Sequence, residues 1–446
     1  MKVGFAVADI TPELGIYLTG YGNPERLAEE VHSPLTATVM ALEDEEKTVA
    51  VIGFDWCYMD VEMAQEIQRG LAAASGLPEA NILLCCSHTH SAPHTSLGRT
   101  LGRVSVDPEC KGVAYVRKNI PVIGKAIADA RATLRETEAC FAAGKTETGV
   151  SRRGTNEAGE VRSFIADPNQ IYDSNMTTVL FRDRETHENI GILVHCSAHN
   201  TCLGPSREIS SDWCGVMRNR VRQTYPVPVL FLNGAFGDVG PRSTNCWVSY
   251  ANEYSAGGCG GISAAEEVGS RAATDALRLL EGMRYFISDL PLKVRVSKVV
   301  LPQEIPLSEA ETREVIREYE QQNPDKNVEP PVKYQVAQAM LKAWGEPPQN
   351  ELEFEHTLVA FGPLALVPFP FEMFSIFSLR LRKYGPFEYT LLCGNVNGSY
   401  AYLPDRGAIA VGGYEVSCRH HSRPYVTKPE AGDLAVTQTL KALREM

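Results

Sequence analysis

In this 446-residue chain, His88 and His90 stand two residues apart just beyond the apolar run Ile82-Leu-Leu-Cys-Cys86. Side chains two apart share a face of an extended strand, whereas on a helix of 3.6 residues per turn they diverge by about 200°. If the strand continues through them, the two imidazoles can converge on one ion. Imidazole is the commonest zinc ligand, and two or three histidines with one carboxylate and an open position form the hydrolytic zinc arrangement. His199 and Glu372 would complete such a set, because they also follow apolar runs, ILVHCSA and LVPFPF; a fourth run, VLFL, ends in Asn233-Gly234-Ala235. Ligands of open α/β sheets bind at the carboxyl ends of strands, so four runs ending in polar residues mark a candidate site. Taken singly, a histidine near a strand end is more often a hydrogen-bonded structural residue. His94 and His195 fit either a supporting or a packing role, and His32, His187, His356 and the pair His420-His421 read as structural or surface residues.

The elements that must position these residues alternate along the chain. Candidate strands run from Val49 to Phe54, Ile82 to Cys86, Ile190 to Val194, Val227 to Leu232, Ala365 to Val367 and Tyr389 to Leu392. Amphipathic stretches lie between them: Val61 to Ala74, Tyr115 to Leu134, Trp213 to Tyr225, Ala264 to Leu280 and Met373 to Tyr384. This alternation predicts an α/β fold with a mixed β-sheet core flanked by helices. One domain over 1–446 is expected, with a polar helical insertion at about 306–350 that is either a lid over the site or a surface pair. The glycine cluster Ser255 to Ile262 lacks the lysine and strand-turn-helix setting of a phosphate loop and reads as a flexible loop.

Composition narrows the partners. A formal charge of -12 offers no broad basic surface for nucleic acid or anionic lipid, so a small-molecule substrate is expected, with no nucleic acid and no stable membrane association. No motif fixes an oligomeric state. The N-terminal apolar stretch is stopped by Asp9 and is too short for a signal peptide, and no run approaches the ~20 apolar residues of a membrane span, which predicts a cytoplasmic protein. The twelve cysteines include no C-x-x-C pair, and Cys85, Cys86, Cys196 and Cys393 sit inside apolar runs as small hydrophobes.

These residues carry a resemblance along essentially the whole chain. Ala8-Asp9-Ile10-Thr11-Pro12 with Gly20-Tyr21-Gly22, then Ser87-His88-Thr89-His90-Ser91-Ala92-Pro93, resemble the opening ADITP and the THTHSGP segments of the neutral/alkaline non-lysosomal ceramidases and their bacterial relatives. His199-Asn-Thr-Cys-Leu-Gly204 with Ile209-Ser-Ser-Asp212, Asn233 to Pro241, Pro370-Phe371-Glu372 and Gly413-Tyr414-Glu415 are similar to the family's later site segments. The resemblance implies the family's N-terminal catalytic domain, with one Zn2+ held by His88, His199, Glu372 and Tyr414 and with His90 beside it against the reacting carbonyl or water. His195 lies four residues before His199, and the spacing to Ile209 favours His199. Arg152 or Arg153 falls where the family has an arginine near the substrate.

Two departures bear on activity. The family's glycine-aspartate turn carries a serine regarded as the nucleophile, and this chain has Gly240 there; the sequence also stops at Met446, where ceramidases add an immunoglobulin-like domain. Attack is therefore expected from metal-activated water, with His90 and Tyr414 stabilising the oxyanion and His90, Asp212 or Asp238 moving the proton. Both aspartates fit better as caps of the turns that follow them than as catalytic groups. Gly240 leaves room for a substrate group. The expected function is zinc-dependent cleavage of an amide bond in a small or medium N-acyl substrate. The alternatives are a zinc-dependent ester or lactone hydrolase and a non-catalytic zinc- or ligand-binding homologue.

Overall fold

Strands that bury both faces read as continuous apolar runs, and three such pairs are parallel: Thr48–Phe54 with Ile82–Cys86, Asn189–Cys196 with Val229–Asn233, and Leu364–Pro368 with Tyr389–Cys393. The computed structural model describes residues 1–21, 26–97, 110–243, 260–323, 332–419 and 423–446. An eight-stranded sheet runs in the order Val229–Asn233, Asn189–Cys196, Asn175–Asp183, Arg135–Lys145, Lys2–Asp9, Thr36–Glu43, Thr48–Phe54, Ile82–Cys86. It curls so that its Val229–Asn233 edge packs against the opposite end of the sheet: a Cβ on Gly53 of Thr48–Phe54 would lie 2.7 Å from Leu230 Cδ1. A five-stranded sheet contains the long antiparallel pair Leu292–Glu304 and Glu351–Phe361 together with Leu364–Pro368, Tyr389–Cys393 and Val426–Thr427.

The two sheets face each other across one core, in which Val3, Leu83, Phe181 and Leu232 of the first meet Val359, Phe361, Leu366 and Leu391 of the second. Helices cover the outer faces. Val61–Ser75 and Lys111–Ala132 pack on one half of the large sheet, Asp212–Thr224 and Gly261–Glu281 on the other, and Ser375–Tyr384 and Ala431–Arg444 on the small sheet. The expected mixed α/β architecture is the observed one.

Several boundaries differ from expectation. Met373 does not open a helix: with Glu372 it forms a short strand paired with Tyr402–Leu403, and the helix starts at Ser375. Gly261 and Ile262 form the first turn of Gly261–Glu281 and are not loop, while 255–259 of the glycine cluster lie outside the described residues, as do His420 and His421. In the segment 306–350, helices Glu309–Gln322 and Val332–Trp344 pack through Tyr319 and Tyr334, whose ring centroids are 4.3 Å apart; 324–331 lie outside the described residues. Among the described residues no helix is long and apolar enough to cross a membrane.

Candidate metal centre

The carboxyl ends of the strands are tied together by buried amides. Asn233 Nδ2 donates to the carbonyls of Ser87 (3.0 Å) and Ala198 (2.9 Å), and Asn200 Nδ2 donates to the same Ser87 carbonyl. A bridge between Thr89 and Asn200 adds backbone pairing, and Trp213 Nε1 donates to the His199 carbonyl at 2.9 Å. The segments carrying His88 and His199 therefore share one rigid frame.

His88 and His90 do converge, with ring centroids 4.8 Å apart, but not by sharing a strand face. The strand stops at Cys86, and His88 has a left-handed backbone with φ 70°. Such a conformation is uncommon for a side-chain-bearing residue and persists only where the surroundings impose it. A turn aims both rings.

Each ring is then set by carbonyls. His88 Nδ1 donates to the Cys57 carbonyl at 2.8 Å, and His199 Nδ1 to those of Phe236 (2.9 Å) and Val239 (3.0 Å). A carbonyl only accepts, so both Nδ1 atoms carry the proton and both Nε2 atoms present a lone pair. Those lone pairs meet Glu372 Oε2, which lies 3.6 Å from His88 Nε2 and 3.2 Å from His199 Nε2. Three acceptors face one another, so none of these contacts is a hydrogen bond. His199 Nε2 and Glu372 Oε2 are buried without a hydrogen-bond partner among the described residues. Leaving a buried carboxylate so placed costs several kcal/mol unless a cation joins it.

The donor set fits zinc. Tetrahedral Zn–N and Zn–O bonds of about 2.0–2.1 Å put neighbouring donor atoms about 3.3 Å apart, close to the observed separations. Protonation states fit as well. Burial, with Arg152 nearby, pulls His199 down to about 3, and burial likewise lowers His88 despite Glu372. Burial resists charge on Glu372, but His88 and His199, which are cationic once acid protonates them, and Arg152 outweigh it and hold the carboxyl at about 2. Two neutral imidazoles and one carboxylate are the deprotonated forms a metal requires. A second cluster, Cys57 with His88 and His90, is also close enough to hold an ion. Its thiol lies 3.7 Å from His88 Nδ1, the protonated edge of the ring, which cannot ligate.

His195 is excluded from the cluster: its Nε2 donates to the Leu392 carbonyl at 2.7 Å, on the side of the small sheet. His90 stands beside the set, its Nε2 3.1 Å from His88 Nε2 and its ring against Tyr21 at 4.8 Å. Arg26, fully buried, donates Nη2 to the His90 carbonyl at 3.0 Å. Tyr414 is 37% exposed, packs on Phe164 and Tyr402, and lies within electrostatic reach of Glu372; burial pushes its phenol up.

The remaining expected site residues are placed as follows. Arg152 and Arg153 are buried and both bind Glu415, so their charges meet a protein carboxylate that sequence reasoning missed. A Cβ on Gly240 would meet only the Arg152 stem, at 3.4 Å and 3.8 Å, which is ordinary contact. Asp212, with φ 53°, accepts from the backbone N–H groups of Cys202, Leu203 and Trp213 as a loop cap. Asp238 Oδ1 accepts from Ser375 N (2.9 Å) and Oγ (2.8 Å).

Burial raises Asp238 from its ordinary 3.8 to about 7, so the native protein holds a proton that the unfolded chain has released. That contribution to stability is complete below about pH 4 and is lost as pH rises toward 7. Asp238→Asn keeps the acceptor for Ser375 and removes the titration. Urea unfolding should show the variant gaining on wild type between pH 5 and pH 8, by on the order of 2 kcal/mol. A constant difference across that range would contradict this.

Comparison with known proteins bears on the family and the fold. A sequence profile for the N-terminal part of neutral/alkaline non-lysosomal ceramidase matches residues 1–250. A neutral ceramidase from Pseudomonas aeruginosa superposes over 99% of this chain and 74% of its own, with TM-score 0.72 and 16% identity. A ceramidase structure complexed with C2 superposes over 100% and 75%, with TM-score 0.73 and 18% identity. Curated protein sequences gave no match. With more than half of its length matched by the profile and its whole length following the ceramidase fold, the chain belongs to the neutral/alkaline non-lysosomal ceramidase family.

Proposed function

We propose that this chain is a zinc-dependent hydrolase that cleaves the amide bond of a small or medium N-acyl compound. The observation that carries the reading is the buried convergence of His88 Nε2, His199 Nε2 and Glu372 Oε2, of which the His199 and Glu372 atoms have no hydrogen-bond partner among the described residues. Family membership supports the reaction class, and Tyr414, which lies within electrostatic reach of Glu372, is the proposed fourth ligand. A zinc ion bound there supplies Lewis acidity, polarising a carbonyl and lowering the pKa of water toward neutrality.

The chain's own groups orient and move protons around that chemistry. His90, kept neutral by burial and by its histidine and arginine neighbours, offers a ring N–H or lone pair at the edge of the set. When it is off the metal, the Tyr414 phenol, which burial favours in its protonated form, is a hydrogen-bond donor for developing negative charge on the carbonyl oxygen. Asp238, anchored by Ser375, stands as a proton acceptor poised near neutral pH. Gly240 supplies no hydroxyl, so water is the attacking group in this reading.

The test is a panel of N-acyl amides, N-acyl amino acids, lactones and ceramide, assayed with zinc-loaded and chelated protein. Zinc-dependent release of amine and acid from an N-acyl compound is expected. Turnover of lactones alone would replace the amide by the ester reading, and no zinc-dependent turnover would leave a binding protein. Gly240→Ser should fold normally with full zinc, because its Cβ makes only ordinary contacts. It should lower kcat/KM by about 10-fold by filling space for the substrate. Unchanged kinetics would place position 240 outside the site.

A further inference from the structure

We infer that Glu415 is a positioning residue for the metal centre, acting through a two-arginine clamp that holds the Tyr414 and Glu372 segments in one frame. The inference rests on the zinc site proposed above. Glu415 has no exposed surface. Its Oε1 accepts from Arg152 Nε at 2.9 Å and its Oε2 from Arg153 Nη1. The arginines extend the tie: Arg152 Nη2 donates to the Gly237 carbonyl (3.0 Å) and to Tyr402 Oη (3.1 Å), and Arg153 Nη2 to the Gly412 carbonyl.

Each end of this network touches a segment of the centre. Tyr402 is the register partner of Glu372, and the Gly237 N–H donates to the Met373 carbonyl at 2.9 Å. Gly237 also follows Phe236, whose carbonyl orients His199. Glu415 itself is the neighbour of Tyr414 on a helix of four residues, Tyr414–Ser417, entered through Gly412 (φ 78°) and Gly413 (φ 106°). A single turn after two such glycines cannot fix its own orientation, since helix nucleation is unfavourable and glycine leaves the backbone free. The carboxylate between two guanidiniums supplies what the local backbone lacks.

Outer partners that orient metal ligands are typically worth 10–100-fold in metal affinity. The experiment is a zinc titration against a chromophoric chelator on wild type, Glu415→Gln and Arg153→Lys, with near-ultraviolet circular dichroism as the check of fold. Glu415→Gln should weaken zinc binding by about 10–100-fold. Arg153→Lys preserves the charge and gives up part of the fork, so it tests placement alone and should weaken binding by about 10-fold. It also serves if Glu415→Gln fails to fold. Native zinc affinity in either folded variant overturns the clamp, because a purely structural role would lower unfolding stability and leave zinc affinity unmoved. Full zinc in His88→Ala would instead overturn the centre on which the inference rests.

Discussion

His88→Ala and His199→Ala should each give a folded protein that retains no stoichiometric zinc and hydrolyses substrate at the rate of the chelated wild type, a loss of at least about 10³-fold. Both rings are almost wholly buried, with tautomers dictated by the carbonyls of Cys57, Phe236 and Val239. Neither therefore has a conformational substitute nearby. His195→Gln is the matched control, because that ring is equally buried but turned to the Leu392 carbonyl. It should keep zinc and activity while losing stability. Metal analysis of the three purified variants distinguishes these outcomes, and full zinc in His88→Ala or His199→Ala would remove the site assignment.

Gly237→Ala should damage the centre from outside the ligand set. A Cβ there would fall 2.5 Å from the Glu372 carbonyl oxygen and 2.9 Å from that of Met373. Neither can step aside, since both belong to a strand paired with Tyr402–Leu403, and the Gly237 carbonyl also accepts from Arg152. Overpacking of this kind costs about 1–3 kcal/mol. Its strain falls on the backbone of a ligand, so zinc affinity should drop by about 100-fold, the upper range for supporting groups. Zinc titration with urea unfolding measures both; wild-type affinity would show that the Glu372 strand tolerates displacement.

The sequence revealed those parts of the fold in which both strand faces are buried. Ile82–Cys86, Val229–Asn233 and Tyr389–Cys393 read as unbroken apolar runs, and the candidate ligands His88, His199 and Glu372 follow the carboxyl ends of Ile82–Cys86, Asn189–Cys196 and Leu364–Pro368. Leu292–Glu304 and Glu351–Phe361 expose alternate side chains, which dilutes the signal with Lys, Arg and Glu, and neither belongs to the expected set of strands. The spacing of His88 and His90 pointed to a shared strand face, whereas a left-handed residue brings the rings together. Dihedrals of that kind leave no trace in residue spacing. Glu415 entered only as a member of the Tyr414 segment, with no role, for another reason: it follows no apolar run, and its partner Arg152 lies 263 residues away. The histidine pair needed only local sequence, while the clamp needed the tertiary fold.

The most direct test of the account is the zinc K-edge X-ray absorption spectrum of the metal-loaded protein. Two clusters of described residues could compete for the ion, His88 with His199 and Glu372, and Cys57 with His88 and His90. Zinc bonds to nitrogen and oxygen fall at about 2.0–2.2 Å and those to thiolate near 2.3 Å. The account predicts a shell of nitrogen and oxygen only, with imidazole scattering from two rings that disappears with the metal in His199→Ala. A sulfur shell near 2.3 Å, or an unaltered spectrum in that variant, would contradict it.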